Sequence, residues 1–172
     1  MKFRLQSLAL AGLCVVILGI GGNAVWVSQK TNSAAARSKF ATQLSDAYEK
    51  ARFSVAAEES LERKYRLEPS AAVGKIYDAA AEEFVDALEV VRARGSASDI
   101  QLVGRLLKTQ RRYRQAISAM FTAVDAGQTK RVLAIDSTRV DPRFSVIEQQ
   151  VQARAATRSL EAAAQLHSLR TS

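Results

Sequence analysis

The sequence predicts an all-α protein in which an N-terminal transmembrane helix precedes an up-down-up-down four-helix bundle. The first observation is a shortage of helix breakers, with two prolines and eight glycines in 172 residues. The second is a long apolar run near the N-terminus, and the third is the recurrence of apolar residues in steps of three and four. We expect two domains: residues 1–29 form a transmembrane signal anchor or a signal peptide, and residues 30–172 form the bundle.

The N-terminal segment is almost wholly apolar from Leu5 to Val27. As a helix it is about 34 Å long, which is enough to cross a hydrocarbon core of about 30 Å. Trp26 stands near its far end, where an amphipathic ring suits the membrane interface. The small residues from Gly22 to Ala24 also fit a signal-peptide cleavage site, so a cleaved signal is the alternative. Both interpretations place residues 30–172 outside the cytoplasm.

Proline and glycine set the limits of the first two helices of the predicted bundle. The first helix is expected to run to about Leu67, because Pro69 disfavours helical geometry in the residue before it. The second is expected to span Ser70 to Arg94, with Gly95 as its C-terminal cap.

The third and fourth helices are bounded by weaker signals. The third is expected to begin near Ser98 as N-cap, with Gln101 three residues later, and to end at Gly127. The fourth is expected from about Thr129 to the C-terminus. Asp141 followed by proline predicts either a kink or a fresh helix start, with Asp141 as N-cap.

Apolar side chains spaced by three and four residues predict the seams by which these helices pack. The second helix carries Val73, Tyr77, Ala80, Phe84, Ala87 and Val91. The third carries Val103, Leu106, Gln110, Tyr113, Ile117, Met120 and Val124. The fourth carries Phe144, Ile147 and Val151, followed by an alanine-rich tail with Leu160, Leu166 and Leu169.

The net charge of +8 is distributed in a way that argues against nucleic acid as a partner. Residues 1–30 hold three bases and no acid, residues 128–172 hold seven bases and four acids, and the middle is nearly balanced. A nucleic-acid-binding domain usually gathers its surplus on one face or helix. In the predicted bundle both basic ends return to the bilayer, so membrane lipid is the expected partner of this charge.

The residues for catalysis or metal binding are scarce. The chain has one histidine and one cysteine, which excludes an intrachain disulfide and a histidine-rich metal cage. Cys14 lies in the apolar run, and His167 lies in a polar tail without a nucleophile pattern around it. We therefore expect no enzyme activity, no catalytic residues, no metal and no cofactor.

One layer of the predicted bundle gathers charged residues. Counting residue steps along an up-down-up-down bundle puts Glu58, Arg114 and Asp141 at the same height, with Gln110 about four steps lower. One hypothesis is a small-ligand pocket lined by these four residues, in which Arg114 binds an anionic group. The alternative is a partly buried ion pair between Glu58 and Arg114 that fixes the register of the helices.

Several spaced segments carry a resemblance to a known family. They are Glu58–Pro69, Arg112-Tyr113, Met120-Phe121, Ala123–Gly127 and Val140–Phe144. In order and spacing they resemble the extracytoplasmic sensor regions of bacterial membrane-bound diguanylate cyclases and phosphodiesterases, the GGDEF/EAL proteins of cyclic-di-GMP signalling. The resemblance implies a sensor or signal-input domain, residues 30–172, on a single-pass anchor in the bacterial cytoplasmic membrane. It would relay helix shifts to a cytoplasmic effector in the same or a partner chain.

The resemblance assigns no cyclase or phosphodiesterase activity to these residues. In proteins of that kind a second membrane helix and the catalytic domains follow the sensor region. The chain is therefore expected to be a segment of a longer protein, the product of a truncated gene or a stand-alone protein, and these alternatives stay open. The competing function is a stand-alone exported helical module that has an interaction or structural role in the cell envelope. Whether two copies pair as a homodimer is also left open.

Overall fold

The computed structural model describes residue 36 and residues 38–170, and all regular structure in that part is helical. The predicted all-α class is therefore confirmed. The elements are α1 (38–67), α2 (Ala71–Arg94), α3 (Ala97–Asp125), α4 (Thr129–Ile135), a π-helical segment (Asp136–Val140) and α5 (Asp141–Arg170). Within these residues no helix combines the length and apolar character that a membrane crossing needs. The predicted transmembrane segment lies outside the described residues.

Contacts between side chains define an up-down-up-down order. Glu58 of α1 meets Tyr77 of α2, and the two helices are antiparallel across a turn of three residues. Glu58 also meets Gln110 of α3, while Tyr48 nearer the start of α1 meets Asp99 nearer the start of α3. The nearly constant offset between these two contacts, 51 and 52 residues, makes α1 and α3 parallel, as a bundle with alternating directions requires.

The sequence signals for the first two helices are confirmed, with one change of reason. α1 ends at residue 67, before Pro69, and the Ser70 side chain caps α2 by accepting from the Val73 amide at 3.2 Å. Gly95 is the C-cap of α2, but its φ of −79° is one that any residue adopts. Glycine is needed there because a Cβ would stand 2.5 Å from Asp99 Cβ.

The start of α3 differs from the prediction. The N-cap is Ser96 and its partner is Asp99, so the predicted pair Ser98 and Gln101 is wrong by two residues. Asp99 accepts from the Ser96 amide at 2.8 Å and returns its own amide to Ser96 Oγ at 3.3 Å. This is a reciprocal capping box with aspartate in place of the usual glutamate or glutamine. At its other end α3 stops at Asp125, before a turn in which Gly127 takes the positive φ of 66°.

The predicted seams form the core of the bundle. All the seam residues named for α2 and α3 are buried except Val124, which packs against the core from a half-buried position. Phe144, Ile147 and Val151 of α5 are buried as well. Leu160 and Leu166 further along α5 are exposed, although Ala162 between them is buried.

The predicted break near residue 141 is a π-helical segment in a continuous helical run. Asp141 is not an N-cap, because its amide donates to the carbonyl of Asp136 five residues earlier. Pro142 has no N–H, and one inserted residue lets the helix continue past it without a break. The hydroxyls of Ser137 and Thr138 donate to backbone carbonyls one turn earlier, at 2.9 and 2.5 Å.

Candidate functional site

A fully buried carboxylate lies at the centre of the bundle. Glu58 has no exposed surface, and Gln110 Nε2 donates to its two carboxylate oxygens at 2.8 and 2.7 Å. The Tyr77 hydroxyl donates to Glu58 Oε2 at 3.2 Å. Burial raises the pKa of Glu58 to about 7, although the hydrogen bonds from Gln110 and Tyr77 lower it. The protein therefore keeps a carboxyl group in its interior that titrates near neutral pH.

The seams explain why these three polar groups meet. Glu58 continues the line of Leu44 and Ala51 at intervals of seven residues, and all three are buried. Tyr77 and Gln110 occupy buried positions in the seams of α2 and α3. Each helix thus brings one polar member of an otherwise apolar seam to the same layer.

Arg114 lies at the edge of this layer and does not pair with Glu58. Its guanidinium donates to Asp78 of α2 at 3.2 Å, and both side chains are substantially exposed. The expected Glu58–Arg114 ion pair is therefore wrong, because Gln110, one turn earlier on α3, occupies the position facing the carboxylate. Arg114 acts on Glu58 only through space, where its charge lowers the Glu58 pKa slightly after burial has raised it.

Asp141 also stands apart from Glu58. It is exposed as the first residue of α5. Its charge acts on another carboxylate, Glu62, and raises the pKa of that group by a small amount after the effects of burial, Arg66 and Asp136. The structure thus joins Glu58 with Gln110 and leaves Arg114 and Asp141 on the surface nearby.

A second buried carboxylate was missed as a site residue. Glu62 lies one turn after Glu58 and is nearly as buried. Arg66 Nε approaches Glu62 Oε1 at 2.7 Å, and the same guanidinium pairs with Asp136 of the π-helical segment. Burial raises the pKa of Glu62 to about 7, Arg66 lowers it and Asp136 raises it. The signal in the sequence was the spacing of four from Glu58, which places both on one helix face.

The six residues of this region are called the interior polar layer below: Glu58, Glu62, Tyr77, Gln110, Tyr113 and Asp136. Four of its buried oxygens have no hydrogen-bond partner, although the first of them forms the ion pair with Arg66: Glu62 Oε1, Gln110 Oε1, Tyr113 Oη and Asp136 Oδ1. Buried polar atoms are nearly always hydrogen-bonded, so these atoms are groups that can still accept or donate a hydrogen bond. Burial and the charges of Glu58 and Glu62 raise the pKa of Tyr113 far above its ordinary value, so its hydroxyl stays protonated.

A cleft on the surface adjoins the interior polar layer. It lies between α2 and α3 and has a volume of about 460 Å³. Gly74, Tyr77 and Asp78 line it from α2, and Arg114 and Phe121 are among the residues that line it from α3. Tyr77 connects the two places, because it lines the cleft and its hydroxyl reaches Glu58.

A second buried network lies at the opposite end of the bundle. Asp99 is fully buried and accepts from Tyr48 Oη at 2.8 Å and from Arg154 Nε at 2.9 Å, and it pairs with Arg158. Burial alone raises the pKa of Asp99, but hydrogen bonds from Ser96, Tyr48 and Arg154 outweigh it and hold this pKa well below its usual range. The network ties α1, α3 and α5 together.

The helices α1 and α5 continue past this network side by side. A cavity of about 570 Å³ there is lined by Phe40 and Leu44 of α1 and by Glu161 and Gln165 of α5, among others. Ten residues of α1 (38–47) and twelve residues of α5 (159–170) extend beyond the level of Asp99, which corresponds to about 15 and 18 Å. These two helices lead to the two ends of the chain.

Three of the segments that carry the family resemblance meet at the other end of the bundle. The ring of Tyr65 in α1 stacks on Phe121 in α3 with centroids 3.8 Å apart, and its hydroxyl donates to Asp125 at 2.9 Å. Arg66, the next residue in α1, pairs with Asp136. Parts of the sequence that are up to 70 residues apart therefore form one packed unit.

Comparisons with known proteins bear on the fold. No protein-family model and no curated protein matches the chain. Among solved structures, the chain is similar to the periplasmic sensor domain of a sensor histidine kinase, with a TM-score of 0.66 and 22% sequence identity. The match covers 80% of this chain and 95% of that one. The two share a helical fold. In the part of our chain that the structure describes, no group of His, Cys, Asp and Glu could hold a metal ion.

Proposed function

We propose that this chain is an extracytoplasmic sensor domain of a bacterial signal-transduction protein. Residues 1–29 anchor it in the cytoplasmic membrane as a single pass, and residues 30–172 lie outside. The observation that carries the proposal is the shared fold with a periplasmic sensor domain over 95% of that domain. The role is signal input and not catalysis.

The expected output route is the pair α1 and α5. The Asp99 network fixes their relative position through Tyr48, Arg154 and Arg158, and both helices then run on together. A small shift of one helix at the interior polar layer would reach the membrane as a rigid displacement. A cytoplasmic effector in the same or a partner chain would receive it. By the family resemblance, that effector is a GGDEF or EAL enzyme.

The cleft between α2 and α3 is the place where we expect a small ligand with an anionic group. Arg114 holds Asp78 by a single contact of 3.2 Å, and both are partly solvated, so a ligand carboxylate bound in bidentate fashion would displace Asp78. The rings of Tyr77 and Phe121 offer apolar surface for the rest of the ligand. Of the four residues first proposed, Arg114 contacts the ligand, Glu58 and Gln110 respond through Tyr77, and Asp141 lies outside the cleft.

The ligand proposal is tested with the purified full chain and a panel of small organic carboxylates, with binding measured by calorimetry. Arg114→Gln is expected to weaken binding at least tenfold. Arg112→Gln is the matched control, because Arg112 is an exposed residue of the same helix that does not line the cleft. Equal binding by both variants would exclude Arg114 as the anion-binding group.

The placement outside the cytoplasm is tested by alkaline phosphatase fused after residue 170, since this enzyme is active only outside the cytoplasm. Activity is expected, and its absence would contradict the proposed orientation. The alternative function is a stand-alone exported interaction or structural module, which pairs with a second copy or an envelope protein. Downstream coding sequence that continues in frame into an apolar helix favours the sensor, and an immediate stop favours the module.

A further inference from the structure

The interior polar layer contains more carboxylates than the neighbouring cations neutralise. Three carboxylates lie there, Glu58, Glu62 and Asp136, and the last two share one guanidinium, that of Arg66. Glu58 has no cation within 4 Å among the described residues. Two like charges one helical turn apart repel each other, and burial strengthens that repulsion. Binding of a proton to one of these carboxylates therefore reduces the electrostatic repulsion within the layer.

The titratable and charged groups that interact with the two glutamates, or with the neighbouring Tyr113, come from every element packed around them. They are Glu59, Arg63 and Arg66 from α1, Tyr77 from α2, Tyr113 and Arg114 from α3, Asp136 from the π-helical segment and Asp141 from α5. The tyrosines stay neutral because their pKa values are raised by burial. Arg63 and Arg114 lie at the surface and pair with other acids, Glu59 and Asp78.

Gln110 has the chemistry to serve both protonation states of Glu58. With Glu58 ionised, Gln110 Nε2 donates to both carboxylate oxygens and Gln110 Oε1 has no partner. A protonated Glu58 carries an O–H that needs an acceptor. Rotation of the amide about its terminal bond presents Oε1 to that O–H. One amide rotation therefore exchanges the hydrogen bonds that Gln110 makes with the Glu58 carboxyl group.

We propose that Glu58 and Glu62 form a proton-binding site through which the bundle registers acidification outside the cytoplasm. The stimulus is the proton, and the signal is the change in packing of α1, which carries both glutamates, against α3 and the π-helical segment. The output of this site depends on the proposed sensor function, whereas proton uptake does not. The raised pKa of both side chains, about 7, agrees with this geometry.

The direction of the response follows from linkage. A carboxyl group whose pKa is higher in the folded than in the unfolded chain stabilises the fold, and this contribution is complete when the pH lies below the pKa of the unfolded chain. That contribution is lost as the pH rises through the folded value. For one carboxyl group with a pKa of 4.5 in the unfolded chain and about 7 in the folded chain, the equilibrium constant of unfolding rises about fortyfold between pH 5 and pH 7. The bundle is therefore more stable at acidic pH than at neutral pH.

The test is an NMR titration of the full chain in detergent micelles, with the glutamate side-chain carboxyl carbons labelled with ¹³C. We expect two carboxyl resonances with midpoints above 6, well separated from the others. Glu58→Gln should remove one of them, and the control Glu83→Gln, at an exposed position of α2, should leave both of them in place. A wild-type spectrum with no midpoint above 6 would overturn the proposal, and this result needs no variant.

A second measurement covers the case in which Glu58→Gln alters the fold. Glu62→Gln is then used, and the thermal midpoint of the wild type and the variant is followed from pH 5 to pH 7.5 by circular dichroism. The wild-type midpoint should fall as the pH rises, and the variant should fall less. Identical slopes would refute the site. If two carboxyl resonances have raised midpoints but the effector output does not change with pH, Glu58 and Glu62 bind protons and have no role in sensing.

Discussion

The substitution Asp99→Asn should weaken the end of the bundle that α1 and α5 share. Asp99 is completely buried and receives hydrogen bonds from Tyr48 and Arg154 at 2.8 and 2.9 Å. Arg158 pairs with its other oxygen. Asparagine has nearly the same shape but carries no charge, so both guanidinium groups lose the buried anion with which they pair.

The magnitude follows from the exposure of the two arginines. Removing one partner of a fully buried ion pair costs about 3–5 kcal/mol. The side chains of Arg154 and Arg158 keep 25% and 16% of their surface, so water partly solvates the charges that are left. Asparagine also keeps one acceptor for the capping box. We therefore expect the free energy of unfolding at pH 7 to fall by about 2 kcal/mol.

The assay is urea denaturation of the full chain followed by circular dichroism. Asp46→Asn is the matched control, because Asp46 is an exposed aspartate of α1 outside the network, and its effect should stay within about 0.5 kcal/mol. The wild type should also lose stability as the pH falls through the range where Asp99 protonates, and Asp99→Asn should not show this loss. A loss below about 0.5 kcal/mol for Asp99→Asn would refute the assignment of the network as the tie between α1 and α5.

Three further predictions concern the other parts of the bundle, and urea denaturation measures each of them. Between pH 5 and pH 7 the free energy of unfolding should fall by about 2 kcal/mol per buried glutamate, because burial raises the pKa of Glu58 from 4.5 to about 7. Glu58→Gln should reduce this fall. A wild type that becomes more stable between pH 5 and pH 7 would contradict the prediction. Gly95→Ala should lower the free energy of unfolding by about 2 kcal/mol, because the new Cβ stands 2.6 Å from a carbonyl oxygen. Gly74→Ala should raise it by about 0.5–1 kcal/mol, because its Cβ meets nothing nearer than 3.6 Å. A larger loss for Gly74→Ala than for Gly95→Ala would contradict this packing. Tyr65→Phe should cost about 1 kcal/mol through the lost bond to Asp125 at 2.9 Å, and no change would show that this bond contributes nothing.

Periodicity was sufficient to predict the helices and most of the core. Tyr77, Gln110 and Tyr113 were placed in seams by spacing alone, and all three are buried. Pro69 marks the end of α1 because its effect on the preceding residue is local and independent of tertiary contacts. Signals of this kind act within one turn of the chain, so sequence is enough to find them.

Contacts between helices could not be predicted to better than one turn. The step count placed Arg114 opposite Glu58, and the true partner is Gln110, four residues earlier. An error of about two residues at each of the two bends between α1 and α3 is enough to exchange them. The role of Asp136 was missed for a different reason, because the π-helical segment depends on Pro142 being accommodated within a packed helix and not on local propensity.

The claim that these residues form a sensor is tested most directly by the output of an effector joined after residue 170. The effector is the core of a histidine kinase or a GGDEF cyclase behind a second membrane helix, and its product is measured in membranes at pH 5.5 and pH 7.5. The proposed mechanism predicts an output that differs between the two values and that Glu58→Gln holds at its pH 5.5 level. An output that is the same with and without residues 40–160 would contradict the sensor function.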